Sequence, residues 1–238
     1  MDGPSITHIR SFKPRRRRLG AEALEVWERL GPRYVHADEG GPLDLRSWFG
    51  PAGRSDAPRL VVEIGFGGGE ALIDAASARP AEWFVGVEVH QPGLAQVLRA
   101  IDGVPLVNVH LVHGDALVLL DRLADASVDE LRVFFPDPWP KVRHHKRRLV
   151  RPDVVATWCR VLRPGGLLRI ATDWDDYAAG VDRVCGGRTE LAGGRTTDRS
   201  DRSVTLRAAS SSPRVVRWWN SPSPDAGPGE PTGPFPGS

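Results

Sequence analysis

Between Arg59 and Asp173 the apolar residues follow two alternating rhythms. Short runs rich in Val, Ile and Phe stand at LVVEIG (60–65), WFVGVEV (83–89), NVHLVHG (108–114), LRVFFP (131–136) and LLRIATD (167–173). Their length and β-branched content predict strands, and apolar character on both faces predicts strands covered from both sides. Between them, EALIDAASA, PGLAQVLRAI, ALVLLDRL and PDVVATWCRVL place apolar residues at helical spacing, the last with Pro152 suited to a first turn. Regular alternation of strand and helix predicts an α/β fold, a doubly wound and mostly parallel sheet with helices on both faces, in which five parallel strands can be counted.

Outside this stretch the pattern weakens. Ala23, Leu24, Trp27 and Leu30 predict a short helix that Gly31-Pro32 ends, followed by a Gly/Pro-rich connector to Arg59. Residues 1–20 form a basic arm containing Arg15, Arg16, Arg17 and Arg18, which reads as solvated and mobile. After Tyr177 the text turns to Gly, Ser, Pro, Arg and Asp, and only RVVRWW (214–219) offers a strand. The expected organisation is therefore an arm at 1–20, one domain at 21–180 and a disordered tail at 181–238, protease-sensitive from about Gly186.

Composition narrows the partners. A chain of 238 residues suffices for one sizeable domain. With 32 Lys plus Arg against 30 Asp plus Glu, any hold on a polyanion must come from local clusters. Cys159 and Cys185 form no C-x-x-C pair, and His144 and His145 lack a partner at zinc spacing, so neither a disulfide scaffold nor a metal is expected. No apolar run reaches the length of a membrane span and no signal-like segment opens the chain, so the expectation is a cytoplasmic protein.

Open parallel sheets bind ligands beyond the carboxyl ends of their strands, and chemistry-bearing residues stand there. The first strand runs into Glu63-Ile64-Gly65-Phe66-Gly67-Gly68-Gly69. These glycines permit a tight turn and close approach of backbone to a ligand, and an ordinary strand-to-helix turn, the alternative reading, rarely requires four of them. Glu70 occupies the position where a G-x-G-x-x-G dinucleotide fingerprint needs glycine, and its charge is wrong for a pyrophosphate. Glu88 ends the second strand nineteen residues after Gly69, near the distance of about 20 at which an acid reaches ribose hydroxyls. Asp115, after the third strand, reads either as a helix cap or as an acceptor for an adenine amine. Asp137 and Asp173 follow the fourth and fifth strands. Seven of the eight residues from Lys141 to Arg148 are Lys, Arg or His, which reads as a solvated loop or as a set of phosphate contacts. Trp139 is equally suited to stack on a base or to pack.

Two resemblances organise these residues. E-x-G-x-G-x-G at Glu63 to Gly69 resembles the first motif of class I methyltransferases, and VLRPGGLLRI resembles the turn into their fifth strand. The segment Phe134-Phe135-Pro136-Asp137-Pro138-Trp139-Pro140-Lys141-Val142-Arg143-His144-His145-Lys146-Arg147-Arg148 resembles the F-P-D-P-W-x-K-x-R-H-x-K-R-R signature of bacterial tRNA (guanine-N7)-methyltransferases. EIGFGGG, GVEVH, the RSF before the arginines and ATDWDDYA are similar to the same family, so the likeness runs from about Arg10 to about Ala178.

The resemblance implies a Rossmann-like class I methyltransferase sheet and S-adenosylmethionine as methyl donor, held by Glu63, Gly65, Gly67, Glu88, Asp115 and Asp137. It implies tRNA as partner, with N7 of guanine 46 in the variable loop as acceptor and Asp137 as the catalytic carboxylate. Lys141 and Asp173 would contact the substrate, and Arg143, His144, Lys146, Arg147 and Arg148 its phosphates. The protein would act as a monomer or weak homodimer, with no metal or membrane. Members also carry a C-terminal T-x-F-E segment, which no stretch after Asp173 supplies. Lys13, Lys141 and Lys146 are the only lysines, a bias suggesting a GC-rich gene, and the tail is expected to reflect a frame change after about Ala178. The rival readings are a small-molecule methyltransferase and, because the C-terminal motif is missing, a cofactor- and RNA-binding protein with weak or no catalysis.

Overall fold

The computed structural model describes residues 19–50, 57–196 and 214–220. The basic arm, apart from Leu19 and Gly20, lies outside the described residues, as do 197–213 and 221–238 of the expected tail. In chain order the elements begin with α1 (Ala21–Tyr34), β1 (Val35–Ala37), a 3-10 turn (Leu45–Phe49), β2 (Leu60–Ile64) and α2 (Glu70–Ala78). β3 (Trp83–Glu88), α3 (Gln91–Gly103), β4 (Val109–His113), α4 (Ala116–Asp121) and β5 (Val128–Phe134) follow. A 3-10 segment (Val142–Arg147), α5 (Pro152–Val161), β6 (Leu162–Thr172), α6 (Asp175–Gly186), β7 (Leu191–Thr196) and β8 (Arg214–Asn220) complete the described chain.

The apolar runs form an eight-stranded sheet in the order β1-β4-β3-β2-β5-β6-β8-β7. β1 to β6 pair in parallel, while β8 runs antiparallel between β6 and β7. Every residue of β2 is buried, as its uninterrupted apolar run with one acid predicts for a central strand. On one face Val62, Val85, Leu131, Leu168 and Ile170 pack with Leu117, Leu120, Val154, Trp158 and Tyr177 of α4, α5 and α6. On the other, Val61, Phe84 and Leu111 pack with Val26, Leu72, Leu94 and Leu98 of α1, α2 and α3. Trp158 is fully buried; truncating it to alanine is expected to cost about 3–5 kcal/mol. The strand order reverses at β2, whose neighbours are β3 and β5, so a crevice opens at the carboxyl ends of these strands.

The structure differs from the sequence reading in four places. α1 continues through Gly31 and Pro32 to Tyr34, because Pro32 lies in the last turn, where Val35 N–H still reaches the Gly31 carbonyl and Tyr34 is buried. The connector contains β1, a sixth parallel strand too short to register as an apolar run. β6 starts at Leu162, ahead of the expected run, with an irregular register against β5. The expected tail begins inside α6 and supplies β7 and β8 to the sheet. β8 covers RVVRWW (214–219), the one run there that the sequence offered as a strand, whereas the Gly-rich LAGGRT concealed β7, which is held by backbone pairing to β8.

Candidate active site

The crevice holds a cavity of about 230 Å³ lined by the ends of four strands: Ile64 and Gly65, then Val87 to His90, then Gly114 to Ala116, then Phe135 to Asp137, with Leu149 closing one side. Acids therefore enter one space from three successive strand ends, as the sequence pattern predicted for Glu88, Asp115 and Asp137.

Glu88 is the knot of the site. Its Oε1 accepts from the backbone N–H groups of Val89 at 2.8 Å and His90 at 3.0 Å, and its Oε2 accepts from Gly67 N–H at 3.0 Å. One carboxylate thus fixes the glycine turn to the end of β3 while still facing the cavity. Gly65 (φ 67°) and Gly67 (φ 60°) take the left-handed conformation that favours glycine, and a Cβ built on either meets open space. Gly65 thereby leaves room for a ligand against bare backbone. Gly67 contributes its N–H to Glu88 and is not part of the cavity wall.

The helix-cap reading of Asp115 holds. Its Oδ1 accepts from Leu117 N–H at 2.9 Å, capping α4, and the residue lines the cavity. Asp38, which no sequence signal marked, accepts from Asp115 N–H at 2.7 Å. It props the β4 turn from the far edge of the sheet, and only the pairing of β1 with β4 brings it there.

Asp137 stands exposed at the mouth of the cavity. The backbone turns sharply on both sides of it, for Phe135 (φ 50°) and Trp139 (φ 44°) are non-glycine residues in the left-handed region. Such conformations persist only where surrounding contacts enforce them, and they concentrate at functional turns. Trp139 is 5 % exposed, meets the edge of His144 at 5.9 Å and carries the Arg147 guanidinium over its ring at 5.0 Å. It is a packing residue. Lys141 precedes the 3-10 segment and Asp173 directly follows β6; both are exposed and neither lines the cavity.

Two expected ligands are placed elsewhere. Glu63 is 1 % exposed on β2, outside the cavity wall, and its register partner is Arg132 of β5. Glu63 Oε2 lies 3.8 Å from Arg132 Nη1, whose guanidinium is engaged more closely by Glu130 through Nε at 2.7 Å. Burial, with the Glu130 carboxylate beside it, pushes the Glu63 carboxyl up to about 8. It faces the sheet interior because side chains alternate along a strand, and the cavity takes its neighbours Ile64 and Gly65. Arg148, expected at a phosphate, is 8 % exposed. Its Nε donates to the Pro138 carbonyl at 3.0 Å, its Nη2 bonds Asp176, and the guanidinium lies over Tyr177 at 5.1 Å. Arg143, His144, Lys146 and Arg147 remain on the 3-10 segment, which has no buried residue.

A largely parallel sheet that turns through glycines into a cavity walled by acids from successive strand ends has the architecture of the class I S-adenosylmethionine-dependent methyltransferases. An rRNA methylase from Streptococcus thermophilus shares the fold, with a TM-score of 0.51 at 15 % identity over 70 % of this chain and 89 % of that one. The 16S rRNA methyltransferase KamB does so with a TM-score of 0.52 at 14 % identity over 71 % and 91 % of the two chains. The Methyltransf_4 family model ("Putative methyltransferase") matches residues 57–205, so the likeness continues past the frame change expected after Ala178. The tRNA (guanine-N(7)-)-methyltransferase of Nitrosococcus oceani is 42 % identical over 177 residues, 74 % of this chain and 73 % of that protein. That of Streptomyces avermitilis is 44 % identical over 171 residues, 71 % of this chain but 57 % of the relative's length. The chain belongs to the tRNA (guanine-N(7)-)-methyltransferase family.

Proposed function

We propose that this chain transfers a methyl group from S-adenosylmethionine to N7 of guanine 46 in the variable loop of tRNA. The observation that carries the reading is the position of Asp137, at the mouth of the acid-lined cavity and four residues before the basic segment that starts at Lys141.

The cavity suits the donor. Glu88 and Asp115 present carboxylates to hydroxyl and amine groups, Gly65 leaves space beside bare backbone, and Ile64, Val87, Ala116 and Leu149 supply apolar walls. A pyrophosphate would meet these same carboxylates unfavourably. When bound, S-adenosylmethionine supplies an electrophilic methyl group whose transfer removes the sulfonium charge and leaves the purine cationic. Guanine N7 has a lone pair and no proton to lose, so this chain needs no general base. Asp137 contributes a fixed negative charge where positive charge develops on the base, which favours the transition state over the ground state.

In this reading Lys141 and Asp173 contact the substrate, and Arg143, His144, Lys146 and Arg147 present a positive surface to phosphates. N7 lies on the major-groove edge, which in A-form RNA is too deep and narrow for side chains, so the acceptor must sit in an accessible loop. The work belongs in the cytoplasm, with the protein a monomer or weak homodimer. Among the described residues no helix is long and apolar enough to cross a membrane.

Incubating the protein with labelled S-adenosylmethionine and unmodified tRNA tests the proposal. Label in RNA, with chain scission at the modified guanine after reduction and aniline, is the expected result. Cofactor binding without label in RNA overturns it.

A further inference from the structure

We infer that Phe135 and Trp174 form an aromatic mouth that takes the target guanine by stacking, leaving its edge to Asp137; the inference rests on the methyl-transfer reading above. Among the described residues the large exposed hydrophobics are Leu24, Val104, Val107, Phe135, Val142 and Trp174. Both aromatics in that set stand just past strand ends and close in sequence to an exposed acid, Phe135 two residues before Asp137 and Trp174 directly after Asp173.

Their backbones place them on neighbouring strand ends. Phe134 is the register partner of Ala171 across β5 and β6, and Phe135 N–H donates to the Ala171 carbonyl at 2.8 Å. From there the chain reaches Trp174, whose N–H donates to Thr172 Oγ1 at 3.2 Å. Phe135 lines the cavity itself.

Burial of the ring accounts for less of the conformation at Phe135 than at Trp139. A bulky residue at φ 50° is strained, because Cβ crowds the following carbonyl. Trp139, the other strained aromatic of this loop, is 5 % exposed and buries its ring in return, whereas Phe135 keeps 43 % of its surface in solvent. Trp174 keeps 41 % exposed where α6 begins. Glycine would relieve the strain at 135 and a polar residue would suit the solvent. A flat apolar face held outward at the mouth of a site with a carboxylate beside it fits a purine that must enter unstacked from an RNA loop. Stacking on aromatic side chains is how proteins hold such bases.

The test uses the full chain with unmodified tRNA and compares Phe135→Gly, Phe135→Tyr, Trp174→Ala and Trp174→Phe. Phe135→Gly is expected to hold or raise the melting temperature, since it removes strain, while raising KM for tRNA by about tenfold, the worth of one stacked base. Titration calorimetry is expected to show cofactor affinity close to that of the wild type. Phe135→Tyr restores a ring and brings KM back toward the wild-type value, and Trp174→Ala and Trp174→Phe are expected to form a parallel pair. An unchanged KM for Phe135→Gly in an enzyme whose wild type labels tRNA overturns the aromatic mouth alone. A loss of cofactor affinity with KM for tRNA unchanged also overturns it, by assigning the ring to the cofactor. Absence of label with the wild type overturns the methyl-transfer reading and this inference with it.

Discussion

Arg148 donates from Nε to the carbonyl oxygen of Pro138 at 3.0 Å and so holds the residue that follows Asp137. The same guanidinium binds Asp176 and His145 through Nη2 and lies over Tyr177, joining the Asp137 turn to the first turn of α6. A buried guanidinium with these partners is a brace, and removing it leaves a carbonyl and a carboxylate without their donor.

Arg148→Ala is therefore expected to cost about 2–4 kcal/mol of stability and to lower turnover, with the salt dependence of tRNA binding unchanged. Arg148→Lys should rescue little, because a point charge cannot serve Pro138 and Asp176 as the planar fork does. Thermal melts and binding isotherms at several salt concentrations check both. A flatter salt slope for Arg148→Ala would return this residue to the phosphate contacts.

Lys146 and Arg143 should behave in the opposite way. They stand on a 3-10 segment that buries none of its residues, so alanine at both positions should leave the melting temperature nearly unchanged. If each meets a phosphate, the salt slope of tRNA binding should flatten by about 0.9 per residue on duplex-like RNA and about 0.7 on single strands. An unaltered slope would make the segment a solvated loop.

Glu63 carries a pH signature. Its carboxyl titrates at about 8 in the folded protein against an ordinary value of 4.5. The folded state thus holds a proton that the unfolded state has already lost, so stability declines as pH rises between these values and is level below them. Glu63→Gln, which fixes the protonated shape, should flatten the profile from about pH 5 to 8 and leave cofactor affinity near wild type at pH 7. Denaturant melts across that range provide the check. Weakened cofactor binding in Glu63→Gln would instead restore it to the ligands suggested by the glycine motif.

These contrasts show what the sequence made legible. β2 to β6 could be placed because each is an apolar run covered on both faces, and the position of an acid just after such a run is fixed by chain connectivity alone. Glu88, Asp115 and Asp137 reach one cavity for that reason. Whether an acid faces the cavity or the interior depends on a single step of strand alternation, and Glu63 is buried outside the cavity wall. Arg148 looks like its basic neighbours in sequence, and only the packing of α6 separates it from them. β1 and β7 are stabilised by backbone pairing with β4 and β8, so their side chains carried little signal.

Glu88 and Asp137 should separate binding from chemistry. Glu88→Gln retains shape but weakens charge-assisted acceptance from three backbone N–H groups and from a ribose, so cofactor affinity should fall by about tenfold. Asp137→Asn retains shape but removes the charge set against the cationic purine, so turnover should fall by at least about a hundredfold with cofactor affinity little changed. Calorimetry and single-turnover methylation distinguish the two. Wild-type turnover in Asp137→Asn would remove it from the chemistry.

The last expectation concerns β8, which composition alone assigned to a dispensable tail. Its backbone pairs with β6 from Leu167↔Trp219 to Thr172↔Arg214 and with β7 from Leu191↔Asn220 to Thr196↔Val215. Ending the chain after residue 213 would strip both ladders at once. β7 would lose its sheet neighbour, and β6 would present an open edge along the strand that delivers Asp173 and Trp174. Termination after Asn220 retains β8 and serves as the reference. The shorter chain should melt several degrees lower, since about 1 kcal/mol corresponds to roughly 2–4 °C in a protein of this size. Cofactor binding should survive better than RNA methylation, because the cavity is built by the ends of β2, β3, β4 and β5 while the mouth draws on β6. Equal melting temperatures for the two truncations would show that β8 adds nothing to the sheet.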